Sequence, residues 1–280
     1  MTTSQSPVAP RINFDGLLGT FMRRLTYRDS GREARVIASI GFQNTISKVS
    51  AMAEITVMAS LAFKAAYLQL VPLFEQQAAH KVTTFWVPSV DMRARLKDGE
   101  VVDLIVMSRQ AIEELVPFNA IAQNGITELA TAGVGVAVRA GAARPDIGTP
   151  EALKRALLAA KSVACSTGPS GVYLAKLFER LGIADEIAAK LKRVKDEPAG
   201  ALVARGEAEL GFQQKSELLP VAGIDYIGPL PAEIQNVTTF AVGLHAKAPH
   251  PDAAKALVQF LTAPAARPII ESTGMDVPKR

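Results

Sequence analysis

At 280 residues, with 49% hydrophobic and 21% charged side chains, the chain can bury a large core and form two lobes. It has no apolar run of about 18 residues, which excludes a helical membrane span, and its one cysteine, Cys165, excludes an internal disulfide and a thiolate metal cluster. The net charge of +4 is localised: residues 1–50 carry Arg11, Arg23, Arg24, Arg28, Arg32, Arg35 and Lys48 against Asp15, Asp29 and Glu33, and the remainder is balanced. The globular part therefore has no electrostatic footprint for nucleic acid.

Residues 1–52 read as an extension, either a disordered tail or an over-long start with Met52 as initiator, or alternatively a degenerate export segment. Val36-Ile37-Ala38-Ser39-Ile40 is too short for a signal-peptide core, although Ala51-Met52-Ala53 resembles a cleavage site. Localisation stays open on these residues, with the cytoplasm favoured.

The globular part opens with a strand at Ile55-Thr56-Val57-Met58, a turn at Ala59-Ser60-Leu61, and a helix marked by Phe63, Ala66, Tyr67, Leu70, Leu73 and Phe74 at helical spacing. Ser60 either caps that helix or presents its hydroxyl and the free N–H groups to an anion. A second turn ends on Ser89 and leads into a helix over 91–99, stopped at Asp98-Gly99. Val101 to Met107 is an apolar strand with Ser108, Arg109 and Gln110 at its carboxyl end. Three such units in succession predict a parallel, doubly wound α/β sheet, with ligand at the carboxyl ends of its strands.

Further on, 133–138 is a strand, and Thr149-Pro150-Glu151 starts a helix with Thr149 as cap. Val163 to Ser166 is a strand that makes Cys165 a buried residue, and Thr167-Gly168-Pro169-Ser170-Gly171 turns into a helix over 172–181. That turn lacks both the P-loop and the dinucleotide spacing, so no nucleotide cofactor is expected. His80, His245 and His250 have no metal-ligand spacing; no cofactor or metal of any kind is expected. A helix over 195–205, a short strand ending at Gln213-Gln214-Lys215-Ser216, a strand over 237–244, a helix over 252–261 and a last helix ending near Gly274 complete the chain.

ASL at 59–61, PS at 88–89, DLIVMSRQ at 103–110, GPSGVYLAKLFERLG at 168–182 and RGEAELGFQQKSE at 205–217, in that order, resemble the periplasmic molybdate-binding proteins. These are solute-binding components of ABC transporters with the type II periplasmic-binding-protein fold, and aconitate isomerases are related members. The resemblance implies two doubly wound α/β lobes, one from 53–132 plus 241–280 and the other from 133–240. Two crossing strands near 130–134 and 237–240 would join them, and hinge closure would trap an anion held by hydroxyls and N–H groups. It carries Ser60, Leu61 and Ser89 onto the first lobe's ligand donors, Ser170 and Gly171 onto those of the second, and Gln214 onto a position usually held by tyrosine. The implied partners are a small anionic ligand and an ABC permease, the implied location is the periplasm, and a monomer is expected.

Two departures bear on function. Gln214 and Lys215 replace the tyrosine region, and Ser108-Arg109 stands where a small residue and an aspartate are usual. An arginine suits bidentate recognition of a planar carboxylate, which points to a small di- or tricarboxylate; the alternative is that Arg109 and Lys215 face solvent or pair with Glu113 and Glu217. Two functions follow. One is a solute-binding protein capturing a molybdate-like oxyanion or small carboxylate. The other is an aconitate isomerase-like enzyme moving a double bond by allylic proton transfer. For the second, no catalytic base is identifiable at a strand end; Asp196 and Lys215 are the nominees.

Overall fold

The computed structural model describes residues 25–29, 32–36 and 52–278. Within residues 1–49, which form a unit of their own, β1 (Leu25–Asp29) pairs antiparallel with β2 (Arg32–Val36), Leu25 opposite Val36. That hairpin was not legible in the basic, weakly patterned segment. The expectation of a disordered or misassigned extension otherwise falls outside the described residues.

The unit from Ser50 onward begins with β3 (Glu54–Ala59), α1 (Lys64–Ala78), β4 (Lys81–Trp86), α2 (Ser89–Lys97), β5 (Leu104–Ser108) and α3 (Arg109–Glu113). β3 lies parallel to both β4 and β5. Alternation along the strands sends Ile55, Val57, Leu104 and Val106 to one face and Met58, Ile105 and Met107 to the other. Helices cover both faces, so every residue of β5 is buried. The fully buried Leu70 and nearly buried Phe74 of α1 each contribute about 1.5–3 kcal/mol by leaving water.

Next comes the long β6 (Ile121–Arg139), then α4 (Pro150–Ala159), β7 (Val163–Ser166), α5 (Pro169–Arg180), α6 (Ala184–Ala188), β8 (Leu191–Val194), α7 (Ala199–Ala204), β9 (Leu210–Gln214), α8 (Lys215–Leu218) and β10 (Ile224–Pro229). β11 (Val237–His245), α9 (Pro251–Leu261) and α10 (Arg267–Ser272) return to the first core. β7 runs parallel to β8 and β9, and its flanks bury Val163, Cys165, Leu174, Leu177 and Phe212.

Thr149 accepts a hydrogen bond from the Ala152 N–H at 3.1 Å with Pro150 following, the helix start read from the sequence. Gly99, at φ +94°, stops α2 as expected. α5 begins at Pro169, three residues earlier than the periodicity indicated, and α7 begins at Ala199 rather than Lys195. In both cases a proline-bearing turn was assigned to the wrong side of the boundary.

The sheet order is β4-β3-β5-β11-β6-β9-β7-β8, with β10 also on β6. β6 threads both cores: up to Gly133 it pairs with β11, and from Val134 onward with β9 and β10. The segments expected to cross lie antiparallel to each other, Val237 opposite Gly133 and Phe240 opposite Ala130. Ser216 Oγ donates to the Ala62 carbonyl at 2.9 Å, a contact from α8 to the turn after β3.

Candidate functional site

The carboxyl ends of β3, β4, β5, β7 and β9 converge on one cleft, as a parallel sheet requires of the turns that follow its strands. The cleft has an inner niche of about 40 Å³ and an outer cavity of about 460 Å³, and Ser89, Thr167, Gly168 and Pro169 line both.

Ser60 leaves β3 in an extended conformation (φ −80°, ψ 161°) and its side chain makes no cap bond. The residue lines the niche, and its hydroxyl is buried with no hydrogen-bond partner among the described residues. A buried hydroxyl in that condition costs about 1–3 kcal/mol unless something in the cleft accepts from it or donates to it. Leu61 and Ser89 line the niche beside it, Ser89 as the first residue of α2.

Across the cleft, α5 aims its N-terminus at the same space. Pro169 has no N–H to lose there, and the first-turn N–H groups of Ser170 and Gly171 lack intrahelical acceptors. The Ser170 hydroxyl is not part of the lining: it is fully buried, 3.2 Å from Ser166 Oγ. Ser166, which the sequence reading did not select, is the hydroxyl that faces the niche, and it accepts from the Gly168 N–H. Gly171 is a packing requirement, because a Cβ there would stand 1.6 Å from the Ser166 carbonyl oxygen.

Gln214 belongs elsewhere. It is fully buried and lines neither cavity. In the orientation that satisfies every partner, its amide donates to the carbonyls of Ala132 (2.9 Å) and Gly133 (3.3 Å) and accepts from the Thr238 hydroxyl (2.9 Å). It stitches the crossing strands together where β9 abuts β6, so a tyrosine-like ligand contact does not arise from this position.

Arg109 lines the outer cavity, half exposed, with two of its nitrogens given to Glu113 (2.8 Å) and Glu128. These carboxylates hold its guanidinium firmly protonated. Arg93, also on the outer cavity, pairs with Glu114 while its Nε is buried without a partner among the described residues. Among the described residues the cation lining the niche is Lys195, half exposed and 2.7 Å from Asp91 on α2, an ion pair that reaches from the loop after β8 to the helix across the cleft.

Two carboxyl groups line the niche. Glu197 receives both terminal nitrogens of Arg205 (2.8 and 3.0 Å), which hold it below the usual carboxylate range. Both of its oxygens are committed. Glu217, on α8, has a single partner among the described residues: Gln213 Nε2 donates to its Oε1 at 2.7 Å. Burial pushes this carboxyl up to about 7, and the Gln213 hydrogen bond only partly offsets that rise.

Neither Asp196 nor Lys215 lines either cavity, and Glu217 is bonded to Gln213 rather than Lys215. The sequence did hold a signal, Gln213 and Glu217 four apart across the end of a buried strand. Nothing local separated that pair from a surface glutamate beside a lysine. The assembled niche thus offers neutral donors (Ser60, Ser166, helix N–H groups), one cation, and one carboxyl able to gain or lose a proton near neutrality.

The sequence profile of the bacterial extracellular solute-binding proteins matches residues 55–276. An aconitate isomerase from Pseudomonas sp. is 37% identical over 227 residues, 79% of this chain and 87% of that one. The periplasmic molybdate-binding protein of Azotobacter vinelandii superposes with a TM-score of 0.68 at 18% identity, covering 80% of this chain and all of that one. The sulfate-binding protein of Mycobacterium tuberculosis H37Rv superposes with a TM-score of 0.63 at 16% identity, covering 80% and 86%. The fold is that of the type II periplasmic binding proteins, and the chain belongs to the bacterial extracellular solute-binding protein family.

Proposed function

We propose that the cleft binds a small unsaturated tricarboxylate and shifts its double bond by allylic proton transfer, as an aconitate isomerase. The observation that carries this reading is Glu217: a carboxyl group lining the niche, bonded through Oε1 to Gln213 and with no partner on Oε2 among the described residues, whose burial raises its proton affinity toward neutrality. The 37% identity to an aconitate isomerase supports it independently.

Glu217 Oε2 takes a proton from the substrate methylene, and the C–H electron pair passes into the conjugated carboxylate to give a dienolate. Donors already in place stabilise that charge: the Ser60 and Ser166 hydroxyls, the first-turn N–H groups of α5, and Lys195 released from Asp91. Glu217 then returns the proton to the former vinylic carbon, and the double bond has moved with no net change in protons or electrons. Arg93 and Arg109 line the outer cavity, paired with Glu114 and with Glu113 and Glu128, and in this reading they exchange those partners for the remaining carboxylates.

The orphaned Ser60 hydroxyl and the helix N-terminus equally favour a second reading, capture of a small anion for an ABC permease without turnover. The full chain incubated with cis- or trans-aconitate separates the two by NMR. Interconversion that disappears in Glu217→Gln supports the isomerase, whereas tight binding without interconversion leaves the receptor.

A further inference from the structure

Glu217 is aimed by a neighbour whose own orientation is fixed. Gln213, the penultimate residue of β9, is 1% exposed. Its Oε1 accepts from the Ala199 backbone N–H at 2.6 Å, and its Nε2 donates to Glu217 Oε1 at 2.7 Å. A backbone N–H can only donate, so the amide oxygen must face Ala199 and the NH₂ must face Glu217. Glu217 Oε1 is consequently an acceptor whether or not the carboxyl is ionised. Its Oε2 has no hydrogen-bond partner among the described residues, and Glu217 lines the niche.

We propose that Gln213 is a positioning residue: tethered to the first residue of α7, it confines the exchangeable proton to Glu217 Oε2 and points that oxygen at the cleft. This rests on the reading of Glu217 as the base. The charged groups around Glu217 are Lys195, paired with Asp91; Glu197, paired with Arg205; and Lys215 on its own helix. None of them donates to Glu217, so among the described residues Gln213 supplies the one hydrogen bond that favours the ionised form.

The test is a ¹³C NMR titration of glutamate carboxyls in the full chain, with the Glu217 resonance identified by its loss in Glu217→Gln. Gln213→Met removes the donor with little change of volume and should raise the Glu217 midpoint by about one pH unit or more. The acid limb of kcat/KM should move with it. Gln213→Glu keeps an oxygen for Ala199 should the methionine variant not fold; it makes a carboxyl pair whose upper titration step lies above the wild-type midpoint.

An unchanged Glu217 midpoint in either folded variant overturns the inference, even if the protein is an active isomerase. A raised midpoint in a protein that never interconverts aconitates keeps the positioning role and discards the isomerase.

Discussion

Replacing Glu217 by glutamine tests the desolvated carboxyl without reference to any ligand. The amide keeps the shape of the side chain and an oxygen for Gln213 Nε2, and removes only the ionisation. In the unfolded chain the carboxyl titrates at its ordinary 4.5; in the folded chain burial raises it to about 7. Below pH 4.5 both states hold the proton and the group contributes no pH dependence. Between 4.5 and about 7 the folded state binds more protons than the unfolded one, so stability falls as pH rises, and above 7 the full cost is present. At 1.36 kcal/mol per pH unit the interval corresponds to about 3 kcal/mol. Glutamine carries no such cost, so Glu217→Gln should match wild type near pH 4.5 and exceed it by about 2–3 kcal/mol at pH 8. For a unit of this size that is a Tm difference of about 5–10 °C. Calorimetric unfolding of both proteins at pH 5 and pH 8 measures it. A difference that does not grow with pH refutes the claim that Glu217 is desolvated.

Ser60→Ala deletes a buried hydroxyl that has no partner among the described residues, so stability should stay within about 1 kcal/mol of wild type or rise. Affinity for aconitates, measured calorimetrically, should fall about 10- to 100-fold. Gly171→Ala drives a methyl into the Ser166 carbonyl and should cost at least about 3 kcal/mol in urea unfolding, since the neighbour that must move is backbone. Asp103 is fully buried and accepts from the Thr56 N–H (2.8 Å), the Thr56 hydroxyl (2.9 Å) and the His250 N–H (2.6 Å), tying β3 to the start of α9. Asp103→Asn turns one acceptor into a donor facing donors, and urea unfolding should show a loss of about 2–4 kcal/mol.

The crossing segments came from the family resemblance alone, whereas the strand–turn–helix units were readable because each rests on local pattern: apolar runs at strand length, helical spacing, a serine where the two meet. The first half of β6 was not. Residues 121–128 include Gln123, Asn124, Gly125 and Glu128, half exposed and interrupted by a left-handed Asn124 (φ +54°), and they are held in the sheet by β11 rather than by their own propensity. β8 was missed because two of its four residues are the exposed Lys192 and Arg193; β10 was missed although it carries Ile224, Tyr226 and Ile227.

Ser60 and Ser89 were nominated from their place where strands give way to helices, and both line the niche. Gln214 was carried over from a related pattern and proved to hold the crossing strands instead. Glu217 escaped because its chemistry arises from the niche wall, the Gln213 tether and the absence of a paired cation. None of these is a property of the four-residue helix on which it sits.

The most direct measurement is ¹H NMR of trans-aconitate incubated with the full chain in D₂O, run beside Glu217→Gln. The account predicts interconversion of trans- and cis-aconitate in wild type, at a rate that falls at least 1,000-fold in the variant while binding persists, with deuterium entering the product whenever Glu217 exchanges its proton with solvent before returning it. No interconversion of an aconitate that demonstrably binds would contradict it and leave a receptor.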